Sequence, residues 1–157
     1  MPVPRRGAGK PELTGAAVLP VGTRKLAKEM VIASDLEEAR RAERCVLDAV
    51  HRCGYGEAAT FAIKLALEEG LNNAVTHGNG QDSKKVIKVT YDVDANRAAI
   101  SIADQGVGFD PSAVPDPRAE ENLQKPCGRG IMLMRAYMDE VRFNGQGNEV
   151  FLVKRNL

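Results

Sequence analysis

Residues 87–102 read IKVTYDVDANRAAISI. Ile87, Val89, Tyr91 and Val93 alternate with Lys88, Thr90 and Asp92, the period of a strand with one buried face. Asp94-Ala95-Asn96 supplies turn residues. Ala98, Ile100 and Ile102 then alternate through a second strand. Two such runs around a short polar turn predict an antiparallel hairpin, and every other element is placed relative to it.

Upstream of the hairpin the period changes to that of helices. Ser34-Asp35-Leu36-Glu37 has the spacing of a capping box, in which the Ser side chain accepts from the N–H at Glu37. A helix is predicted from there to about Arg52, with Leu36, Ala39, Val46, Ala49, Val50 and Cys53 toward its buried side. Gly54 and Gly56 end it. A second helix is predicted from about Glu57 to His77, with Ile63, Leu67, Leu71, Ala74 and Val75 as its core stripe. Gly78-Asn79-Gly80 stops it. A short strand over about Lys28–Ile32 precedes both helices. Downstream, a third helix is predicted from about Gly130 to Met138. Two last strands follow, about Glu140–Asn144 and Glu149–Lys154, joined by Gly145-Gln146-Gly147. Helices and adjacent antiparallel strands in one small chain predict an α+β domain with helices over one sheet face.

The chain has 157 residues, enough for one domain with a real core. Hydrophobic residues are 43% and charged residues 27%, a globular composition. Lys+Arg at 22 against Asp+Glu at 21 lacks the basic excess of a dedicated nucleic-acid binder. Aromatics at 4% with no Trp argue against base stacking as a function. Three Cys without a CxxC pair, and only two His, exclude a zinc or disulfide framework and fit a reducing cytoplasm. No apolar run has the length of a membrane span, so no membrane partner is expected. All eight Pro lie in two segments, Pro2 to Pro20 and Pro111 to Pro126. Because Pro breaks helix and sheet interiors, a loose tail over residues 1–25, a domain over 26–157 and a mobile loop at about 110–127 are expected. The tail carries Arg5, Arg6, Lys10, Arg24 and Lys25 against Glu12 alone, so the rest of the chain is net acidic.

Three places can carry chemistry. Glu69 and Asn73, four apart on the second helix, project from one face. An Asn oxygen can ligate Mg²⁺, which takes hard oxygen donors and keeps waters and phosphate oxygens. A carboxylate beside it can deprotonate an attacking hydroxyl. An exposed polar face is the plainer reading of that helix taken alone. Asp104-Gln105-Gly106-Val107-Gly108 closes a strand. Asp104 shares the parity of Ile100 and Ile102, so its carboxylate is expected toward the core, where it needs a donor; the amino group of adenine is one. Gly106 and Gly108 allow close backbone approach. Gly128-Arg129-Gly130 opens an apolar helix, whose N-terminal amides favour anions, and Arg129 adds a charge suited to phosphate. Neither a Walker A loop nor GxGxxG is present.

In order, KLALEEGLNNAVTHGNG (64–80), ADQGVGFDP (103–111) and GRGIMLMRAYMDEV (128–141) resemble the three nucleotide-binding boxes of the ATPase superfamily that includes gyrase B, histidine kinases and mismatch-repair ATPases. Within it the chain resembles most the small anti-sigma-factor serine kinases of bacterial partner-switching. The resemblance implies a two-layer sandwich, helices packed on one face of a mixed, mainly antiparallel sheet, and frequent homodimers. It implies ATP and Mg²⁺ as cofactors. Asn73 then corresponds to the Mg²⁺ ligand and Glu69 to the general base. Asp104 corresponds to the adenine-binding Asp, with Gly106 and Gly108 beneath the base. Gly128, Arg129 and Gly130 correspond to the phosphate-facing loop, and Asp110 to Cys127 to the ATP lid. The implied partners are an anti-anti-sigma-like antagonist with a phosphorylatable serine and a sigma factor, with no direct nucleic-acid contact.

Two other readings compete. A regulatory module could hold ATP or ADP without phosphoryl transfer; Glu69 argues for the enzyme. The catalytic fragment of a histidine kinase needs a phosphoacceptor His on a preceding helix. His51 instead lies within the domain and is followed by Arg52, not by an acidic residue.

Overall fold

The computed structural model describes residues 27–110 and 129–157. Its elements are β1 (Lys28–Ala33), α1 (Leu36–Arg52), α2 (Glu57–Asn73), β2 (Val86–Val93), β3 (Arg97–Ala103), α3 (Arg129–Tyr137), β4 (Glu140–Phe143) and β5 (Glu149–Arg155). A π-helical turn, Ala74–Gly78, continues α2. The five strands form one sheet in the order β1-β2-β3-β5-β4. Every pairing among them is antiparallel, so the mixed sheet allowed by the resemblance becomes a purely antiparallel one.

The hairpin has the expected register. Tyr91 pairs with Ile100 and Val89 with Ile102. Leu152 and Val150 of β5 continue the same two rows. These alternate residues are buried beneath the helices, and Lys88, Thr90 and Ser101 take the opposite face. Asp94 closes the turn: its Oδ1 accepts from the N–H of Asn96 at 2.7 Å and of Arg97 at 2.9 Å. Those bonds hold its carboxyl below the usual aspartate range.

Helix α1 packs on β1 and β2, whereas α2 lies between α1, α3 and β5. Their burial differs accordingly. In α1 the residues Ala39, Ala42, Val46 and Val50 form one narrow buried stripe. In α2 the buried set is Ala59, Ala62, Ile63, Ala66, Leu67, Gly70 and Leu71, a wide arc with neighbours on three sides. Small residues set how near α2 comes to the sheet. A Cβ on Gly70 would lie 2.8 Å from Ile102 Cδ1. Leu67 is fully buried, and truncating such a residue to Ala costs about 2–5 kcal/mol.

Two details at α1 correct the sequence expectation. The cap is Asp35, not Ser34: Asp35 is extended at φ −139° and its Oδ1 accepts from Glu38 N–H at 2.8 Å. Ser34 is buried, and its hydroxyl accepts from Asn79 Nδ2 at 3.0 Å. The aspartate one residue later is free to turn back on the helix. Leu36, expected on the buried side, is 48% exposed, and the buried stripe of α1 begins only at Ala39.

Candidate nucleotide-binding site

The second half of α2, the end of β3 and the start of α3 surround a cavity of about 560 Å³. Glu69 and Asn73 line it together, as their spacing on one helical face requires. Glu68 points instead to a different groove, between α1 and α2. Gly130 lies against this wall so closely that a Cβ there would sit 2.6 Å from Glu69 Oε2 and 3.2 Å from Asn73 Nδ2. The amino end of α3 therefore faces the Glu69–Asn73 pair, with Arg129 at the rim of the same cavity.

The end of α2 and the Asp104 turn also line the cavity. The expected helix to His77 stops as α-helix at Asn73, and a π turn follows. Asn79 N–H donates to Ala74 C=O at 2.8 Å, closing that wider turn. Such a widening changes the direction of the residues after it and is common at functional sites. Here it brings Gly78 onto Asp104: a Cβ at Gly78 would overlap the Asp104 carboxylate. A Cβ at Gly106 would overlap the Gly78 carbonyl. Asp104 Oδ1 accepts from Gly106 N–H at 2.7 Å, which fixes the carboxylate plane and leaves Oδ2 for a ligand. Burial pushes the Asp104 carboxyl above the usual aspartate range, opposed by the Gly106 bond and by Lys85. A half-desolvated carboxylate with one open oxygen is suited to an N–H donor.

The β4–β5 turn completes the enclosure. Asp104 N–H donates to Asn148 C=O at 2.9 Å, and Asn148 Nδ2 donates to Gly106 C=O at 3.2 Å. Asn148 is itself held by Asn144 Nδ2 at 2.6 Å. Gly108, at φ 80°, packs on the Gln146 carbonyl, and Gly147, at φ 76°, on the Phe109 carbonyl. Phe109 and Phe143 meet edge to face with centroids 5.4 Å apart. Ile102, Met134 and Val150 make the cavity's apolar floor.

Glu69, Asn73, Asp104, Gly108, Arg129 and Gly130 thus line one cavity, and Gly106 forms the turn behind it. Gly128, the lid segment after Asp110, the tail over 1–25 and Cys127 lie outside the described residues. His77 lines the cavity and is exposed; His51 ends α1 as an exposed last-turn residue. Met134 and Met138 are buried and Met132 is half-buried, as packing residues should be, and Met134 also faces the cavity. From sequence, Gly78-Asn79-Gly80 reads as a helix stop and Gly145-Gln146-Gly147 as the joint of a hairpin. The one available signal was the density of Gly and Asn in both segments, more than a stop or a turn requires.

The Histidine kinase-like ATPase domain family matches residues 32–154. The chain is 23% identical over 133 residues to the serine-protein kinase RsbW of Oceanobacillus iheyensis, covering 81% of this chain and 84% of that one. It is 30% identical over 116 residues to RsbW of Bacillus subtilis, covering 66% and 69%. The serine/threonine-protein kinase BtrW of Bordetella bronchiseptica is 29% identical over 85 residues, covering 53% and 60%. A solved Mycobacterium tuberculosis chain with RsbU and RsbW domains superposes with a TM-score of 0.54 at 16% identity, over 83% of this chain and 31% of that one, and shares the fold. Among the described residues no helix is long and apolar enough to cross a membrane. With three ordered boxes meeting in one cavity, the chain belongs to the histidine kinase-like ATPase domain family, among the RsbW serine-protein kinases.

Proposed function

We propose that this protein is an ATP- and Mg²⁺-dependent serine kinase that phosphorylates a small antagonist protein in the cytoplasm and, with the antagonist modified, binds a sigma factor. The observation that carries the reading is the shared cavity: Glu69 and Asn73 line one wall and Asp104 another. The relatives named as serine-protein kinases support the reaction class.

Asp104 Oδ2 accepts from the amino group of adenine, and Ile102, Met134 and Val150 pack against the base. The α3 amides and Arg129 take phosphate oxygens. The donor set fits a divalent ion delivered with nucleotide. Among the described residues no group of three or more His, Cys, Asp or Glu could hold a metal, and Asn73 offers one hard oxygen. Asn73 would help hold Mg²⁺, which would supply neutralisation of the phosphate charge. Glu69 accepts the proton from the antagonist serine as its Oγ bonds to the γ-phosphorus. The bond from that phosphorus to the bridging oxygen breaks, and ADP leaves with the electron pair. Because the transition state is largely dissociative, positioning by these walls supplies most of the catalysis.

Incubation with γ-labelled ATP and a cognate antagonist tests this. Label appears on a serine with wild type, and Asn73→Ala abolishes Mg-ATP binding. Tight nucleotide binding without any transfer would leave a regulatory binding module in place of an enzyme, and undiminished binding by Asn73→Ala would remove Asn73 from the site.

A further inference from the structure

Asn79 is 2% exposed, yet every polar atom of its side chain is used. Nδ2 donates to Ser34 Oγ and to Val86 C=O, both at 3.0 Å. Oδ1 accepts from Gln105 N–H at 2.8 Å. The partners fix the amide's orientation, because the Val86 carbonyl can only accept and the Gln105 amide can only donate. Gln105 returns the link, its Oε1 accepting from Val86 N–H at 2.9 Å. One side chain therefore ties together the β1–α1 junction, the start of β2 and the turn after β3.

The point of attachment matters more than the number of bonds. Gln105 N–H lies between Asp104, whose carboxylate faces the cavity, and Gly106, whose N–H orients that carboxylate. Buried amide bonds of this kind rigidify a site when all members are satisfied. We infer that Asn79 is a positioning residue for nucleotide selection: through Gln105 it holds the Asp104 turn in the geometry that reads the base. The inference rests on the nucleotide reading above.

The test is calorimetric titration of the full chain with Mg-ADP and Mg-GDP, read as the ratio of the two affinities. A loss of fold lowers both affinities together, whereas misplacement of Asp104 lowers the ratio. Wild type prefers ADP. Asn79→Ala lowers the ratio about tenfold, the worth of a buried hydrogen bond. Asn79→Asp keeps an oxygen for Gln105 N–H but turns a carboxylate on the Val86 carbonyl. It unfolds at lower temperature and keeps the ratio within about threefold of wild type. Ser34→Ala lowers thermal stability and leaves the ratio unchanged. A folded Asn79→Ala protein with the wild-type ratio overturns the inference. So does an Asn79→Asp ratio reduced about tenfold, which decides the matter if Asn79→Ala does not fold. Wild-type protein with no preference for ADP would instead sink the nucleotide reading, and this inference with it.

Discussion

The two ends of the cavity are built in opposite ways. At the proposed base end, Asp104 is held by Gly106 N–H, Gln105 by Asn79, and Gly106 C=O by Asn148. At the proposed phosphate end, Glu69 and Asn73 make no side-chain hydrogen bond among the described residues, and Gly130 approaches both closely. In the proposed reading, the base end is organised before a ligand arrives, and the phosphate end presents groups that a ligand completes. The difference suits a protein that selects a nucleotide by its base and then assembles a reacting centre around its phosphates.

The comparison breaks most decisively at Glu69. Glu69→Gln should lower serine phosphorylation on the order of 10²–10⁴-fold, the range for a general base, with Mg-ADP affinity within severalfold of wild type. Labelled transfer and calorimetry on the same preparation measure both. Transfer at the wild-type rate would make the unpartnered carboxylate incidental.

Gly106→Ala strikes the prebuilt end. Its Cβ would overlap the Gly78 carbonyl, so the turn must shift, at about 1–3 kcal/mol. Gly145→Ala is the matched control, since nothing lies within 4 Å of its Cβ position and its φ is not positive. It should change stability by no more than about 0.5 kcal/mol in urea unfolding. Equal costs at the two glycines would mean that the Gly78–Gly106 contact is slack.

Asp104 sharpens the comparison through pH. Its folded-state pKa is raised by burial, so the native apo protein binds more protons than the unfolded chain above the ordinary aspartate pKa. Apo stability should therefore fall as pH rises through that window. ADP affinity should move the other way, because the ionised carboxylate is the better acceptor. Asp104→Asn removes both slopes, raises apo stability at neutral pH and lowers the preference for ADP over GDP. Thermal unfolding and titration across pH measure the two trends. Asp35→Ala acts away from the cavity: it removes the α1 cap at about 1 kcal/mol in urea unfolding and leaves nucleotide binding unchanged.

The same contrast explains what could be read from sequence. The phosphate end was legible because Glu69 and Asn73 meet through helical spacing alone. The hairpin was legible through period-two alternation, which also gave Asp104 its direction. The supports of the base end were not. Asn79 reaches Ser34 across 45 positions and Gln105 across 26, and Asn148 reaches Gly106 across 42. No local pattern encodes such pairings. The π turn that swings Gly78 over Asp104 has no propensity signature of its own. Ser34 shows the cost of local reasoning: its cap spacing was sound, but a tertiary bond from Asn79 took the hydroxyl and left the cap to Asp35.

The most direct measurement is a crystal structure of the protein with ADP and Mg²⁺. The account requires the adenine amino group within hydrogen-bonding distance of Asp104 Oδ2 and the metal on the Asn73 oxygen, with the turn at residues 104–106 unmoved and the side chains of Glu69 and Asn73 reoriented. Nucleotide bound with its base away from Asp104, or a base end that rearranges while the phosphate end stays still, would contradict it.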